Sequence, residues 1–105
     1  MKNWKINSML TKPSFDNLQD VVVAVDWTRE AIRTVNGVEY KVSCYGLYNC
    51  PNPKSNDFIP YQNLTKQQVE NWLNIGLNVT EIDLRLETQL DEKINPSIVK
   101  LPLPF

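Results

Sequence analysis

The dipeptide Asn36-Gly37 constrains this chain more than any other feature, because it lies between two runs rich in β-branched and aromatic residues. Asn-Gly suits the two positive φ angles of a type I′ turn, which connects adjacent antiparallel strands tightly. A two-residue turn pairs Val35 with Val38, and the same register places Trp27 opposite Gly46. A large indole over a glycine covers strand backbone that would otherwise be open. The sequence therefore predicts a β-hairpin around this turn.

The first arm of the hairpin and the segment before it are also typical of strands. Residues 4–10 have strand character, and the Lys-Pro-Ser at 12–14 is expected to end that strand. Side chains alternate between the two faces of a strand, and one face of the hairpin arm is uniformly large and apolar. We expect this face to meet the core through Val21, Val23, Val25 and Trp27.

Two helices are predicted after a loop over residues 48–63, which is rich in Pro and Asn. Thr65 and Gln68 have the spacing of a capping box, and Gly76 is expected to end the first helix in a left-handed conformation. Asn78 caps the second helix, with Glu81 three residues later. An apolar stripe recurs at four-residue intervals in this helix. Its residues are Ile82, Leu86 and Leu90.

The predicted fold class is α+β: a three-stranded antiparallel β-meander followed by two packed α-helices and an extended Pro-containing C-terminal tail. Residues 1–95 are expected to form one domain and residues 96–105 a docking tail. The helices are expected to pack across one face of the sheet. The predicted core therefore joins Tyr40 and Val42 of the sheet to Val69, Trp72 and Leu73 of the first helix.

Composition argues against several classes of function. The chain has 105 residues, 11 Lys and Arg against 12 Asp and Glu, and no His. A general nucleic-acid binder needs a basic surplus to neutralise phosphates, so we expect no nucleic-acid partner. No apolar stretch has the length that crosses a bilayer, and the first residues lack the apolar run of a signal peptide. We expect neither a membrane partner nor secretion, and place the chain in a cytoplasm.

The sequence also offers little for catalysis. Without His, the commonest general base and a leading metal ligand are missing, and two Cys alone make no zinc site. Cys44 falls on a predicted core face, while Cys50 lies in the loop and is expected to be the more accessible thiol. In a cytoplasm both default to reduced thiols, and a disulfide between them is the disfavoured alternative. We therefore expect no catalytic residue, no metal and no cofactor.

The acidic residues of the second helix are interpreted as its solvated outer face rather than as paired catalytic carboxylates. This helix carries Glu81, Asp83, Glu87, Asp91 and Glu92. The apolar stripe of the same helix is too short for a coiled-coil seam, so packing on the sheet is favoured over a coiled coil.

Two apolar segments are candidates for a protein interface. One is the cluster Phe58, Ile59 and Tyr61, which lies in a polar loop; it can instead fasten the loop onto the domain. The other is the tail, where Ile98, Leu101, Leu103 and Phe105 are interspersed with prolines. An extended, proline-stiffened segment loses little entropy on docking, which suits insertion into a neighbouring subunit; packing on its own domain is the alternative.

Several motifs resemble a family of small, uncharacterised proteins from tailed bacteriophages, over nearly the whole chain. The most specific is residues 58–72, FIPYQNLTKQQVENW, accompanied by WKINS at residues 4–8 and PLPF at residues 102–105. Members of that family tend to end in Trp and to have a glycine-rich middle, whereas this chain ends in Phe105. The resemblance implies a phage origin and a place in the virion, and it transfers no catalytic residue.

These observations lead to one expected function and one alternative. We expect a phage virion structural or assembly protein, such as a head decoration, head-fibre or adaptor component, that acts by protein–protein binding. It would be assembled in the host cytoplasm, with other phage structural proteins and further copies of itself as partners. The alternative is a non-structural phage protein that binds and redirects a host protein.

Overall fold

A computed structural model describes residues 1–53 and 58–105. The elements are β1 Lys2–Phe15, β2 Leu18–Val35, β3 Val38–Asn49, a 3-10 turn Tyr61–Asn63, α1 Lys66–Gly76 and α2 Val79–Ile94. The strands form one antiparallel sheet in the order β1-β2-β3, and both helices contribute to a core on one of its faces. The predicted α+β class, with a three-stranded meander followed by two helices, is confirmed.

The predicted hairpin register is also confirmed. Val35 pairs with Val38, and Trp27 pairs with Gly46 across β2 and β3. The turn residue Asn36 has φ 52° and Gly37 has φ 78°, as a type I′ turn requires. Turn chemistry alone therefore aligned twelve pairs of residues along the two strands.

The first strand is longer than the sequence predicted. It runs through Pro13 to Phe15 and turns into β2 at Asp16 and Asn17, whose φ angles of 46° and 65° make a second tight turn. Pro13 is tolerated because β1 is an edge strand, where one side of the backbone has no partner strand. The expectation that Lys-Pro-Ser ends the strand was therefore wrong. The Asp-Asn dipeptide was the signal for the turn.

Two β-bulges decide which side chains of β2 reach the core. The pairing skips Asn7 on β1, between Ile6 and Ser8, and skips Val23 on β2, since Leu10 pairs with Ala24 and Thr11 with Val22. An extra residue reverses the side-chain alternation beyond it. As a result Val22, at 9% exposure, joins the core.

This bulge corrects the predicted core face. Val25 and Trp27 are in the core as expected, but Val23 is only half-buried, and Val21 is buried outside the main cluster. The buried core residues are Trp4, Val22, Val25, Trp27, Ala31, Val69, Leu73, Ile82, Leu86 and Leu90. Tyr40, Val42 and Trp72, which the sequence also assigned to the core, are half-buried and pack against that cluster.

The helix starts are confirmed, but the end of α1 differs from the prediction. Thr65 and Gln68 form a complete capping box, and Asn78 accepts a hydrogen bond from the Glu81 amide. Gly76 is the last helical residue and does not adopt a positive φ. An added Cβ at Gly76 would overlap the ring of Tyr48, so a larger residue there requires that ring to move. A helix–strand contact, not a left-handed turn, therefore favours glycine at this position.

Part of the predicted loop over residues 48–63 belongs to regular secondary structure. Strand β3 continues to Asn49, and the 3-10 turn begins at Tyr61. The prediction for residues 54–57 falls outside the described part of the chain.

The molecule is elongated. Its extents are 71 × 28 × 21 Å and its radius of gyration is 19.0 Å, whereas a compact chain of this length has a radius of gyration of about 13 Å. Two segments are largely exposed: the end of the β1–β2 hairpin around residues 10–20, and residues 95–105 after α2. The apolar chemistry of the second segment is its most unusual property.

Candidate protein-interaction surface

The tail, residues 96–105, begins where Pro96 prevents α2 from continuing. Its first residues remain attached to the helix, because the amide and hydroxyl of Ser97 both donate hydrogen bonds to Glu92 Oε1, at 2.9 and 2.7 Å. Beyond Ser97 the tail is neither helix nor strand. The tail therefore has no regular secondary structure, and it starts from a defined point on α2.

The predicted interface residues of the tail are all exposed. Ile98 is 87% exposed, Leu101 75%, Leu103 74% and Phe105 97%. An apolar side chain in water forgoes about 1.5–3 kcal/mol relative to full burial. Several of them close together favour association with another apolar surface. The alternative that the tail packs on its own domain does not describe this structure.

A second apolar surface lies at the opposite end of the sheet from the Asn36-Gly37 turn. Where β3 ends, the Cys50 amide donates a hydrogen bond to Val23 O at 2.9 Å and directs the chain along the bulged end of β2. Helix α1 passes beside this segment, and the resulting groove has a volume of about 400 Å³. It is lined mainly by apolar and aromatic side chains, including Val21, Tyr48, Phe58, Ile59, Trp72 and Ile75. We refer to it as the apolar groove.

The structure separates the loop residues that the sequence grouped as one interface candidate. Phe58 and Ile59 are half-buried and line the apolar groove. Tyr61 belongs to the 3-10 turn, is 40% exposed and lines a smaller hollow of about 280 Å³ beside Ile6 and Met9. None of the tail residues lines either cavity. The seven predicted interface residues therefore occupy three separate places.

Tyr48 and Ile75 were not predicted as part of any site. Ile75 is 86% exposed at the end of α1, three residues after Trp72. That spacing places both side chains on one face of a helix, which was the available signal. Tyr48 had no comparable signal, because its position depends on the contact of β3 with Gly76.

Three of the acidic residues of α2 contact the sheet. Arg29 on β2 donates hydrogen bonds to both carboxylate oxygens of Asp83, at 3.0 and 3.3 Å. Arg33 pairs with Asp91 at 2.7 Å and also with Glu87. The interpretation of these acids as a solvated outer face was therefore wrong for Asp83 and Glu87, which are half-buried, whereas Asp91 pairs with Arg33 and remains exposed. The sequence pattern missed Arg29 and Arg33 because their partners are more than fifty residues away.

The same pairs explain the perturbed pKa values in this region. Lys2, 2.8 Å from Glu87, and then Arg33 hold the pKa of Glu87 below its ordinary value. Hydrogen bonding to Asp91 raises the pKa of Arg33. Each of these shifts favours the charged form of a group that already has an opposite charge beside it. They stabilise the contact between helix and sheet and supply no group poised to exchange a proton near neutral pH.

Both cysteines are free and half-buried. Burial raises the pKa of the Cys44 thiol and of the Cys50 thiol. Cys50, which was predicted to be the more accessible thiol, is half-buried like Cys44, and both pack against the core. A thiol with a raised pKa is a poor nucleophile, since the thiolate is the reactive form.

Within residues 1–53 and 58–105, no group of three His, Cys, Asp or Glu side chains is placed to hold a metal ion. In the same part of the chain, none of the helices combines the length and the apolar character that crossing a bilayer demands.

Comparison with known proteins gives a family and no function. No curated protein and no solved structure matches the chain. One family model matches residues 2–105 and is described as a domain of unknown function, DUF7936. The matched region covers the sheet, both helices and the tail. This chain belongs to the DUF7936 family.

Proposed function

We propose that this protein is a structural or assembly component of a phage virion that acts by binding other protein chains through its C-terminal tail. The observation that carries the binding role is the exposure of Ile98, Leu101, Leu103 and Phe105 on a segment attached firmly to α2. The phage assignment rests on the resemblance of residues 4–8, 58–72 and 102–105 to small proteins of tailed phages.

The tail has the physical properties of a docking segment. Pro102 and Pro104 restrict the backbone, so that little conformational entropy is lost when the tail binds. The apolar side chains between them gain free energy on leaving water. Partners would be other phage structural proteins and further copies of this chain, in a particle assembled in the host cytoplasm.

The edge strands are a second means of attachment. Among the residues that the structure describes, β1 and β3 each have a neighbouring strand on one side only, and a partner strand can pair with the other side. On β3, Tyr45 is 83% exposed and Leu47 53% exposed, both in the two-residue spacing of one strand face. These side chains would supply apolar contact for a neighbouring subunit of a particle.

The titratable side chains of this protein favour a binding role over an enzymatic one. The chain contains no His, its two thiols have raised pKa values, and the perturbed carboxylate Glu87 is held by Lys2 and Arg33. We propose no catalytic residue and no cofactor.

Mass spectrometry of purified particles tests the virion assignment. We expect a fixed copy number per particle that survives gradient purification and a salt wash. Absence from particles, together with recovery of the protein bound to a host protein, would instead support the alternative role of redirecting a host protein.

A paired substitution tests the role of the tail in the same experiment. Leu101→Asp with Leu103→Asp should sharply reduce incorporation, because it places charge where apolar contact is needed. Leu84→Asp is the matched control, since Leu84 is also exposed, at 66%, but lies on α2. Equal incorporation of both variants would show that the tail is not the attachment segment.

A further inference from the structure

We infer that the apolar groove of one copy binds the C-terminal tail of a second copy, with residues 101–105 as the inserted segment. The inference rests on the proposal that the tail is a docking segment, and it does not depend on the phage assignment. It names the partner surface: the groove lined by Tyr48, Phe58, Ile59, Trp72 and Ile75.

In this structure the tail does not lie in the groove of its own chain, because residues 101–105 are exposed and none of them lines the groove. The end of α2 is fixed beside the turn end of the sheet, since Lys93 Nζ donates a hydrogen bond to Lys41 O at 2.8 Å. The groove begins near Tyr48, seven residues further along β3, which corresponds to about 24 Å of strand. Even fully extended, the six residues from Asn95 to Leu101 span at most about 22 Å, so the tail would have to run straight back along the sheet for its last residues to reach this groove.

Segment and groove match in chemistry. Proline-containing extended segments bind grooves lined by aromatic side chains, which contact the proline rings and the apolar residues between them. The groove supplies Tyr48, Phe58 and Trp72, and the tail supplies the alternating sequence Leu-Pro-Leu-Pro-Phe. A volume of about 400 Å³ lies within the range of about 300–1,000 Å³ that is usual for small binding sites. The groove can therefore accommodate a few side chains rather than a whole helix.

The charges of the two surfaces are also complementary. Asp20 is the one charged residue among the described residues that line the groove, and it is exposed at the rim. Lys100 is the only charged side chain of the tail, directly before the inserted segment. Across residues 1–53 and 58–105, the ion pairs include neither of them. Docking would bring these two opposite charges together, which favours this orientation of the segment.

The arrangement predicts how copies assemble. Tail and groove are different surfaces at opposite ends of the sheet, so one contact leaves a free tail and a free groove. Reciprocal exchange of two tails closes a dimer, whereas one-way docking extends a chain or closes a ring. In either case association consumes the exposed apolar surface of the tail.

Light scattering on the full-length protein over a concentration series tests the inference with three lysine substitutions at exposed leucine or isoleucine positions. Ile75→Lys alters only the groove, and Leu103→Lys alters only the tail. Both residues are at least 74% exposed, so neither substitution disturbs the core. Leu84→Lys, on α2 outside both surfaces, is the control.

We expect the wild type and Leu84→Lys to self-associate equally, and each of the other two variants to associate at least tenfold more weakly. An equimolar mixture of Ile75→Lys and Leu103→Lys should recover association as a heterodimer, because the intact tail of the first meets the intact groove of the second.

A wild type that stays at the mass of one chain at the highest concentration would overturn the inference. So would wild-type association of Ile75→Lys, or a mixture of the two variants that remains monomeric. Incorporation into particles is measured separately. A virion protein that does not self-associate through the groove would contradict this inference alone, while absence from particles would contradict the virion assignment alone.

Discussion

Trp27 on β2 lies directly across from Gly46 on β3, and a Cβ added to that glycine would come within 2.8 Å of the indole carbon Cζ2. Trp27 is 7% exposed and packs edge-to-face against Trp4, with ring centroids 5.5 Å apart. The indole therefore has little room to move away. The absence of a side chain at position 46 is a packing requirement of the core.

Replacement of this glycine should destabilise the protein. Alanine is favoured over glycine in regular structure by about 0.5–1 kcal/mol, but overlap with a packed side chain costs about 1–3 kcal/mol. We expect Gly46→Ala to lower the free energy of unfolding by about 1–2 kcal/mol, measured by urea denaturation. In a Trp27→Phe background, where Cζ2 is absent, the same substitution should cost much less. An equal cost in both backgrounds would contradict the packing explanation.

Arg29 should contribute more to stability than the more exposed Arg33–Asp91 pair. Arg29 binds both oxygens of Asp83 and its guanidinium carbon lies 4.5 Å from the centroid of the Trp4 ring. Lysine cannot reproduce two parallel hydrogen bonds or the stacking, so Arg29→Lys should cost about 1–2 kcal/mol. Asp91→Asn should cost less than about 1 kcal/mol, since the Asp91 side chain is 71% exposed.

Salt provides the second readout for these two variants. Added salt screens exposed pairs more than partly buried ones. The difference in unfolding free energy between wild type and Asp91→Asn should therefore shrink at high salt, while that for Arg29→Lys should remain. A loss for Asp91→Asn as large as that for Arg29→Lys, and equally resistant to salt, would contradict this ranking.

Low pH should lower the free energy of unfolding, in part because Glu87 becomes protonated. Lys2 and Arg33 lower the pKa of Glu87 from its ordinary value of 4.5. A carboxyl whose pKa is lowered by folding adds stability above its unfolded pKa and loses that contribution as pH falls through the lower folded pKa. We expect unfolding free energy to change little through Glu87 above about pH 5 and to decline below 4.5.

Substitution of Glu87 or Lys2 measures how much this ion pair contributes to the free energy of unfolding. Glu87→Gln should be less stable than wild type at pH 7 and should show a shallower decline between neutral and acidic pH. Lys2→Gln should show the same trend, because it removes the first cause of the shift. Part of the decline should persist in both, since Lys41 lowers the pKa of Glu30 and Ser97 lowers that of Glu92. If the unfolding free energy of Glu87→Gln falls with pH as steeply as that of wild type, Glu87 does not contribute to the acid sensitivity.

The two thiols should be protected in the folded protein. Burial raises the pKa of Cys44 and of Cys50, so folding disfavours both thiolates. At mildly alkaline pH a thiol reagent should modify the native protein several times more slowly than the urea-unfolded protein. Cys44→Ser and Cys50→Ser, tested singly, should each retain one slow thiol. Rapid modification of either variant in the native state would identify an accessible cysteine that this packing does not allow.

Local signals in the sequence determined the parts of the fold that depend on neighbouring residues. The Asn36-Gly37 turn set the β2–β3 register, Thr65 and Asn78 set the helix starts, and the stripe of α2 identified its buried face. Each of these depends on residues only a few positions apart along the chain. The sequence also predicted the apolar tail, because alternating prolines and leucines are not accommodated inside a helix or a sheet.

Only the tertiary structure decided the features that depend on distant partners. The bulge at Val23 moved Val22 into the core, and strand alternation cannot reveal an extra residue. The acids of α2 became partners of Arg29 and Arg33 because the helix lies across β2. Gly76 lies directly against the ring of Tyr48, and the groove exists because that ring, α1 and the chain after β3 meet. The physical reason is common to all three features. Each depends on contacts between residues that are far apart in the chain, and such contacts carry no periodic signature in the sequence.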